Sequence, residues 1–262
     1  MIDISTCRTL LFVPGDRPER FAKAAASGAD LVVIDLEDAV APTDKERARR
    51  NAVDWLDAGH RCAVRINAFD DAANEADLRA VERRDCAVML PKADDARSIA
   101  ECLKDNPVLA LVETARGVLA AAELAAAQPV ARLVFGSFDL AAQIGVDHED
   151  RDALASARGA LVLASAASGL APPVDGVTAA VADTAALTDD IAYAARLGFG
   201  GKLCIHPAQV AAAAAALAPS AVDVAWAQRV LAAEGNAVAV VDGRMVDKPV
   251  FDRARRILAA AP

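Results

Sequence analysis

The sequence predicts an α/β fold, a (β/α)8 TIM barrel followed by a C-terminal helical extension. The chain has 262 residues, which is the size of one such barrel. Short apolar runs alternate with helical patterns from residue 9 to about residue 217. Ala, Val and Leu supply most of the 55% hydrophobic content and aromatic residues only 4%, as in helices packed tightly around an aliphatic sheet. An open sheet of this size usually has fewer strands, so we expect a closed barrel.

The strands and helices follow from these runs. Eight apolar segments are predicted strands, at residues 9–13, 31–35, 63–66, 87–90, 108–112, 132–135, 173–175 and 202–205. Segments with helical periodicity lie between them, among them residues 18–27, 43–58, 116–126, 151–168 and 182–197. Residues 1–220 are therefore expected to form the barrel.

The barrel is expected to be complete without residues 221–262. We predict a helix at 222–234, a non-helical stretch at 236–247, and a last helix at 249–260 with Pro249 in its first turn. Ordered sequence beyond a finished core usually covers the barrel or packs on a neighbouring subunit. Gly243 marks a turn that could let such a lid move.

Composition excludes several classes of partner. A net charge of -9 and a pI near 4.9 argue against nucleic acid or an anionic membrane surface. The apolar stretch 211–218 is too short to cross a bilayer, and a signal peptide is not evident. Five scattered cysteines without a Cys-x-x-Cys pair indicate reduced thiols in a cytoplasmic protein. Three histidines leave little room for a His-rich zinc site.

Two carboxylates, Glu113 and Asp139, follow the apolar runs 108–112 and 133–135. Carboxyl ends of parallel strands share one face of a barrel, where such folds place their chemistry. Oxygen-only ligation by two acids suits a hard octahedral ion, so we predict a site for Mg2+, with Mn2+ as a substitute. The alternative is that either acid caps the following helix.

Charged residues also follow the second, third and fourth predicted strands. Glu37, with Asp35 and Asp38, is expected to hold metal-bound water or neutralise an arginine, unless these acids only cap and solvate a loop. Arg65 can grip a carboxylate or stabilise an oxyanion; the alternative is a structural ion pair with Glu37 or Asp38. Lys92 could contact substrate or form a Schiff base, although the metal-type acids argue against the latter.

Two further groups are candidate ligand sites. Arg17, Arg20 and Lys23 form a basic cluster beside a glycine turn, which could bind phosphates or simply be a solvated helix start. The segment Gly136, Ser137 and Phe138 offers backbone amides that a bound carboxylate could approach closely.

Seven segments, in this order and spacing, resemble the citrate lyase beta subunit and malyl-CoA lyase family of metal-dependent aldolases. They are RTLLFVPGDRPER, DLEDAV, VRIN, LPK, VETARG, VFGSFDL and GGKLCIHPAQV. The resemblance covers nearly the whole chain. It implies an eight-fold barrel, Mg2+ held by Glu113 and Asp139, Arg65 in contact with substrate, and cleavage of a 3-hydroxyacyl-CoA thioester. It also implies that Asp247, in GRMVDKP, is a catalytic acid delivered from the lid of an adjacent subunit, in a homo-oligomer that is a homotrimer.

The expected reaction is retro-aldol cleavage of a malyl-, citramalyl- or citryl-CoA type thioester into acetyl-CoA and a small 2-oxo acid. Arg65 would stabilise oxyanion charge and Asp247 would move the proton at the thioester α carbon. A metal-bound water or Glu37 would take the hydroxyl proton. Alternatives are a CoA-independent metal aldolase acting on hydroxy-oxo acids and a citrate lyase complex subunit acting on acyl-carrier-protein thioesters.

Overall fold

Eight parallel strands close into a barrel in a computed structural model that describes residues 3–234 and 239–261. Neighbouring strands pair in chain order, and the eighth pairs with the first. The strands are β1 (Thr9–Pro14), β2 (Leu31–Asp35), β3 (Ala63–Arg65), β4 (Ala87–Leu90), β5 (Val108–Val112), β6 (Val130–Phe135), β7 (Val174–Asp175) and β8 (Gly201–Cys204). The predicted fold class is confirmed, and all eight predicted strands are present with small shifts at their ends.

At least one helix follows each strand of the barrel. These helices are α1 (Phe21–Ala25), α2 (Lys45–Asp57), α3 (Asn74–Val81), α4 (Ala96–Cys102), α5 (Ala115–Leu119), α6 (Ala121–Ala126), α7 (Ser137–Ile144), α8 (Arg151–Ala167), α9 (Thr184–Leu197) and α10 (Pro207–Leu217). Two predicted helices begin instead as 3-10 turns, Pro18–Arg20 and Pro42–Asp44. The single helix predicted at 116–126 is divided at Ala120, whose backbone has a ψ of 4° and leaves the helical conformation.

Alternation along the strands decides which side chains reach the mouth of the barrel. One buried cluster fills the lumen and includes Val33, Ala63, Leu111, Val134, Val174 and Leu203. Side chains two positions apart on a strand point to the same face. Asp35, Arg65 and Glu113 each lie two positions beyond a lumen residue, so they point into the lumen at the carboxyl ends of the strands. Asp175 and Lys202 each neighbour a lumen residue, so they point outward to the helices.

Residues Ala215–Pro262 form a second compact unit, and Met1–Ala214 the first. The second unit contains α11 (Ala221–Ala232), β9 (Ala239–Val241), β10 (Arg244–Val246) and α12 (Lys248–Ala259). Its own apolar core includes Val230, Val246 and Phe251. The division falls within α10, slightly before the predicted boundary at residue 220.

The described part of the predicted non-helical segment 236–247 contains a β-hairpin. Strands β9 and β10 pair antiparallel across Asp242 and Gly243, whose φ angles are 49° and 75°. Two consecutive positive φ angles are typical of the two-residue turn that Asp-Gly favours, and this signal was present in the sequence. Residues 236–238 of the predicted segment lie outside the described residues.

Among the described residues, the helical stretch Pro207–Ala232 is long and apolar enough to span a bilayer, judged by length and composition only. Its mean hydropathy is 1.5. It consists of two helices, because α10 ends at Leu217 and Ser220 caps the start of α11 by accepting from the amide of Asp223. Length and composition are a weak indication, and the absence of a membrane partner stays a prediction.

Candidate active site

Both predicted metal ligands line one small cavity at the carboxyl ends of the strands. The cavity has a volume of about 80 Å³, and Glu113, Asp139, Arg65, Gly136 and Phe12 are among the residues that line it. The sequence placed the first four of these in the candidate site. The structure therefore brings the acid pair, the predicted arginine and the predicted glycine together.

Glu113 is held at the end of β5 by its neighbours rather than by a helix. It is 4% exposed, and its Oε1 accepts a 2.9 Å hydrogen bond from the backbone amide of Lys92. The next residue, Thr114, caps α5 by accepting from the amide of Gly117. Glu113 is therefore free of the capping role that the sequence had left open. Burial and the negative charge of Asp139 raise the pKa of Glu113 to about 8.

Asp139 lies on the first turn of α7, four residues after β6, and not at the strand end where the prediction placed it. The N-cap position of α7 is occupied by Gly136, not by Asp139, and the N-cap residue makes no side-chain capping hydrogen bond. Asp139 is exposed, whereas Glu113 is buried. One predicted ligand thus lies at the floor of the cavity and the other at its rim.

Gly136 allows the two acid-bearing segments to approach. A Cβ added at this position would lie 2.3 Å from Cβ and 2.6 Å from Oε2 of Glu113. Side chains cannot approach that closely, so only glycine fits between β6 and the Glu113 carboxylate. This contact is the physical reason for a glycine at the start of the Gly136–Ser137–Phe138 segment.

Arg65 is fixed by three groups at the mouth. Its Nε and Nη2 donate to the two carboxylate oxygens of Asp35 at 2.7 and 2.6 Å, which is the bidentate geometry that arginine and carboxylate favour. Asp35 and Arg65 are register partners on β2 and β3. Nη1 lies 3.0 Å from Glu37 Oε2, and the guanidinium stacks 4.8 Å from the ring centre of Phe12.

The main ion-pair partner of Arg65 is therefore Asp35. Asp38, one of the alternatives from the sequence, is 3.8 Å away. Burial alone would lower the pKa of Arg65, but the hydrogen bonds and charges of Asp35 and Glu37 outweigh it and raise this pKa. Arg65 is thus a permanent cation beside the acid pair.

Lys92 links two acids of the site through two different groups. Its backbone has a φ of 50°, which strains a residue other than glycine and directs its amide at Glu113. Its Nζ is 3.4 Å from Glu37 Oε1. Partial burial lowers the pKa of Lys92, but the charge and hydrogen bond of Glu37, together with the charges of Asp38 and Glu113, outweigh burial and raise this pKa. A protonated amine is a poor nucleophile, so the geometry disfavours a Schiff base.

Glu37 is a candidate proton carrier beside Arg65, although it is not among the residues that line the cavity. It is 6% exposed, and burial raises its pKa although the charge of Arg65 opposes this. Its Oε2 has no hydrogen bond among the described residues and contacts Arg65 only as an ion pair. A carboxylate with a raised pKa and an oxygen lacking a hydrogen bond is suited to accept a proton.

The donor set fits a hard divalent cation bound by two protein ligands. In residues 3–234 and 239–261, no group of three or more His, Cys, Asp and Glu side chains could hold a metal ion. Glu113 and Asp139 are close enough for one charge to raise the pKa of the other carboxyl. A cation between them would relieve that repulsion, and water or substrate oxygens would complete its coordination.

The predicted phosphate cluster is only partly assembled. Arg20 and Lys23 line a second cavity, of about 340 Å³, together with Phe12 and His206. Arg17 is not among its lining residues and lies 3.9 Å from Asp16. The assignment of all three basic residues to a phosphate site stays a prediction.

Asp247 stands at the N-cap position of α12 and is exposed. Its side chain makes no capping hydrogen bond, so the alternative that it merely caps the last helix lacks the contact it needs. Its assignment as a catalytic acid stays a prediction.

Sequence reasoning missed several residues of the site and its surroundings, among them Phe12 and Lys45. Phe12 supports Arg65 and lines both cavities. Lys45 donates from Nζ to the carbonyls of Leu36 and Glu37, at 2.7 Å each, and so fixes the loop that carries Glu37. A lysine in a predicted helix start gave no signal, whereas an aromatic residue on a strand leading into the mouth could have been noticed.

A parallel barrel with acids and a fixed arginine at its carboxyl mouth defines a barrel enzyme. The HpcH/HpaI aldolase/citrate lyase family model matches residues 8–207 of this chain. A citrate lyase subunit beta-like protein from Mycobacterium tuberculosis is 42% identical over 261 residues, covering 96% of this chain and 94% of the relative. The chain therefore belongs to this family of aldolases and lyases.

Two other relatives extend the comparison. A (3S)-malyl-CoA thioesterase from Cereibacter sphaeroides is 38% identical over 269 residues, covering 97% of this chain and 94% of the relative. The crystal structure of the protein CitE from Mycobacterium tuberculosis, in complex with magnesium, acetoacetate and coenzyme A, is 40% identical. It superposes with a TM-score of 0.87 over 98% of this chain and 99% of that chain.

Proposed function

We propose that the protein is a Mg2+-dependent carbon–carbon lyase that cleaves a 3-hydroxyacyl-CoA thioester into acetyl-CoA and a 2-oxo acid. The malyl-, citramalyl- or citryl-CoA type is the expected substrate. The observation that carries the proposal is the convergence of Glu113, Asp139 and Arg65 on one cavity of the barrel mouth. The related CitE structure, which contains magnesium, acetoacetate and coenzyme A, supports the same class of ligands here.

Glu113 and Asp139 would hold the divalent cation. When bound, Mg2+ or Mn2+ supplies positive charge that stabilises the oxygens of a hydroxy acid or oxo acid. The narrow cavity favours a small acid, and its volume of about 80 Å³ leaves the thioester tail outside.

Arg65 and the start of α7 bind the anionic parts of the substrate. Arg65 places a permanent positive charge where the alcohol oxygen becomes negative during cleavage. The first amides of α7, from Ser137 and Phe138, lack carbonyl partners within the helix and can donate to a carboxylate. Lys92, predicted to contact substrate, is not among the residues that line this cavity, and its amine is paired with Glu37.

Retro-aldol cleavage requires two proton transfers. The hydroxyl loses its proton, the carbon–carbon bond breaks, and its electron pair moves to the thioester as an enolate. We assign the uptake of the hydroxyl proton to Glu37, because burial raises its pKa. Protonation of the enolate carbon then gives acetyl-CoA, and we assign this step to Asp247 from a neighbouring subunit of a homotrimer.

The cavity of Arg20 and Lys23 is the proposed place for the CoA phosphates. Both side chains are cationic in a chain with a net charge of -9, so anion binding has to be local. Phe12 lines both this cavity and the cavity of Glu113 and Asp139. We therefore expect one substrate to extend across both cavities.

The decisive experiment is condensation, the reverse reaction. Purified protein is incubated with Mg2+, acetyl-CoA and, separately, glyoxylate, pyruvate and oxaloacetate, and the products are identified by mass spectrometry. We expect one oxo acid to give a hydroxyacyl-CoA, and no product with EDTA or in Glu113→Gln. Glu101→Gln, at an exposed acid on α4, is the matched control. Product formation that survives both EDTA and Glu113→Gln would refute the metal assignment.

Hydrolysis of the thioester is the second candidate activity, favoured by the likeness to a (3S)-malyl-CoA thioesterase. Supplying the hydroxyacyl-CoA as substrate separates the two, because hydrolysis gives free CoA and a hydroxy acid, whereas cleavage gives acetyl-CoA and an oxo acid. Activity on free hydroxy-oxo acids would identify a CoA-independent aldolase. Activity confined to acyl-carrier-protein thioesters would identify a citrate lyase complex subunit.

A further inference from the structure

A buried polar cluster lies behind the candidate active site, between the loop after β2 and the segment after β3. Its central members are Lys45 of α2, Asn67, and Asp77 of α3. Asn67 and Asp77 are fully buried, and neither is among the residues that line the active-site cavity. The cluster therefore lies outside the cavity, yet it joins the two segments that carry Glu37 and Arg65.

Hydrogen bonds engage both polar atoms of the Asn67 side chain. Nδ2 donates to the carbonyl of Leu36 at 3.1 Å and to Oδ2 of Asp77 at 2.6 Å. Oδ1 accepts from Nζ of Lys45 at 2.7 Å. The backbone amide of Asn67 also donates to Oδ2 of Asp77, at 2.9 Å. These contacts fix the backbone and the side chain of Asn67 together.

The backbone of Leu36 connects Asn67 to the candidate active site. Leu36 lies between Asp35 and Glu37 in the chain. These two acids hold the guanidinium of Arg65. The carbonyl of Leu36 accepts from Asn67, and its amide donates to the carbonyl of Arg65 at 2.9 Å. The residue between the two acids is thus tied to the β3 segment through both of its backbone groups.

The buried charge of Asp77 shows that the cluster does more than fill space. Asp77 Oδ1 accepts from Nε of Arg49 at 2.7 Å, and the carboxylate is fully buried. Taking such charges out of water costs free energy that their pairing returns only in part, and apolar side chains of similar size often stabilise a core as well. Polar groups with specific partners instead define one arrangement of the chain. The location of the cluster therefore favours a role in orienting the segments that it joins.

We infer that Asn67 is a positioning residue, oriented by Asp77, that sets the geometry of Arg65 relative to Glu37. The inference rests on the proposed function, because it matters for catalysis only if Arg65 and Glu37 act in the lyase reaction. Asn67 acts through the Leu36 backbone and does not line the cavity. Its loss should loosen the guanidinium of Arg65 and slow turnover, while the predicted Mg2+ ligands stay in place.

Asn67→Leu tests the inference, because leucine has nearly the same shape as asparagine and none of its hydrogen-bonding groups. Asn106→Leu is the matched control. Asn106 is 5% exposed and donates from Nδ2 to the carbonyls of Arg84 and Cys86 at 3.1 and 3.0 Å. It precedes β5, at the amino-terminal end of the barrel and away from the active-site mouth. Both variants lose buried hydrogen bonds, so both should lose stability.

Hydrogen exchange at Nε of Arg65 measures the positioning without any reaction. It is followed by 1H–15N NMR in EDTA, and Arg65→Lys identifies the signal. We expect exchange at least about tenfold faster in Asn67→Leu than in wild type and in Asn106→Leu, because the Asp35 pairing opens more often. Equal exchange rates in the two asparagine variants would overturn the inference, since any acceleration would then come from lost stability alone.

Steady-state kinetics on the folded variants is the second measurement. We expect Asn67→Leu to lower kcat for thioester cleavage at least about tenfold, with Mg2+ affinity within about twofold of wild type by calorimetry. Asn106→Leu should keep the kcat of wild type. An active wild type with an unchanged kcat in folded Asn67→Leu would overturn the inference. A wild type that cleaves no thioester would instead refute the proposed function, and the exchange rate at Arg65 would still decide whether Asn67 positions it.

Asn67→Ser serves if Asn67→Leu fails to fold. Its short hydroxyl cannot reach the carbonyl of Leu36 and the carboxylate of Asp77 together, whereas it leaves a polar group in the cluster. The expected changes in exchange and kcat have the same direction, and the same unchanged values would overturn the inference.

Discussion

The backbone amide of Lys92 donates a 2.9 Å hydrogen bond to Oε1 of Glu113. The donor residue has a left-handed backbone, with a φ of 50°, and the acceptor is buried at the end of the neighbouring strand. A strained peptide at the end of β4 thus orients a side chain at the end of β5. Residues in such conformations often occur at functional sites, which agrees with the role proposed for Glu113.

The metal-free protein should lose stability as pH rises from about 4.5 to 8. Glu113 has its pKa raised to about 8, so between these values the folded state binds more protons than the unfolded state. The free energy of unfolding should fall by up to about 1.4 kcal/mol per pH unit from this group. Denaturant unfolding in EDTA across this range measures it. Glu113→Gln should flatten the slope, leaving the smaller contribution of Glu37; an unaltered slope would show that Glu113 titrates normally.

Gly136→Ala should damage the metal site through sterics alone. Its Cβ would sit 2.3 Å from Cβ of Glu113, so the acid has to move. We expect a stability loss of about 1 to 3 kcal/mol and at least tenfold weaker Mg2+ affinity, measured by calorimetry. Gly159→Ala on α8 is the control, because nothing lies within 4 Å of its added Cβ. If both variants bind Mg2+ as wild type does, the contact has no role in placing Glu113.

Arg65→Lys should lower kcat/KM by about a hundredfold or more, because lysine cannot reproduce the bidentate pairing with Asp35 that fixes the charge. Arg84→Lys is a matched control: Arg84 makes a similar two-point contact with Asp57, at 2.8 and 3.1 Å, on the exposed surface. Steady-state kinetics of both variants, with melting temperatures, separates a catalytic effect from a loss of folding. Equal effects of the two substitutions would contradict a special role for Arg65.

Neutralising Arg17, Arg20 and Lys23 together should raise KM for the CoA thioester about tenfold and weaken its dependence on salt. The affinity for the free oxo acid should stay unchanged. Arg17→Gln alone should have the smaller effect, because Arg17 is not among the residues that line the cavity. If the three substitutions leave KM unchanged at every ionic strength, the CoA phosphates bind elsewhere.

Asp247→Asn should retain metal and oxo-acid binding but lose turnover, since the amide preserves shape and cannot carry the proton. Mixing it with inactive Glu113→Ala subunits under exchange conditions should restore part of the activity if Asp247 acts in a neighbouring subunit. No recovery despite demonstrated exchange would assign Asp247 to its own chain. Full activity of Asp247→Asn alone would remove it from the reaction.

The sequence predicted the barrel well because each strand is a short apolar run, such as Val108–Val112. Strands of a parallel sheet are buried on both faces, so such runs are typical of them. It also grouped Glu113 with Arg65, since both follow strands whose carboxyl ends must meet. For residues 236–247 the sequence predicted a non-helical segment with a turn at Gly243. The two strands that flank this turn were not predicted, although Asp242 and Gly243 are typical of a hairpin.

The sequence alone could not show which charged residues pair with each other. Arg65 had several acids within reach, and only the register of β2 and β3 decides for Asp35. The left-handed backbone of Lys92 is also invisible in sequence, because lysine does not favour it. The buried pair of Arg158 and Asp175 joins a helix to a strand 17 residues further along the chain, a contact that only the folded barrel specifies.

Because Arg65 donates two hydrogen bonds to Asp35, its positive charge is already oriented before catalysis begins. Two hydrogen bonds at 2.7 and 2.6 Å and the ring of Phe12 hold the guanidinium before any substrate arrives. A preorganised charge needs no reorientation when an oxyanion forms, whereas water or a mobile side chain would have to turn toward it. The free energy needed to orient the guanidinium of Arg65 is therefore supplied once, when the protein folds, and not again in each turnover.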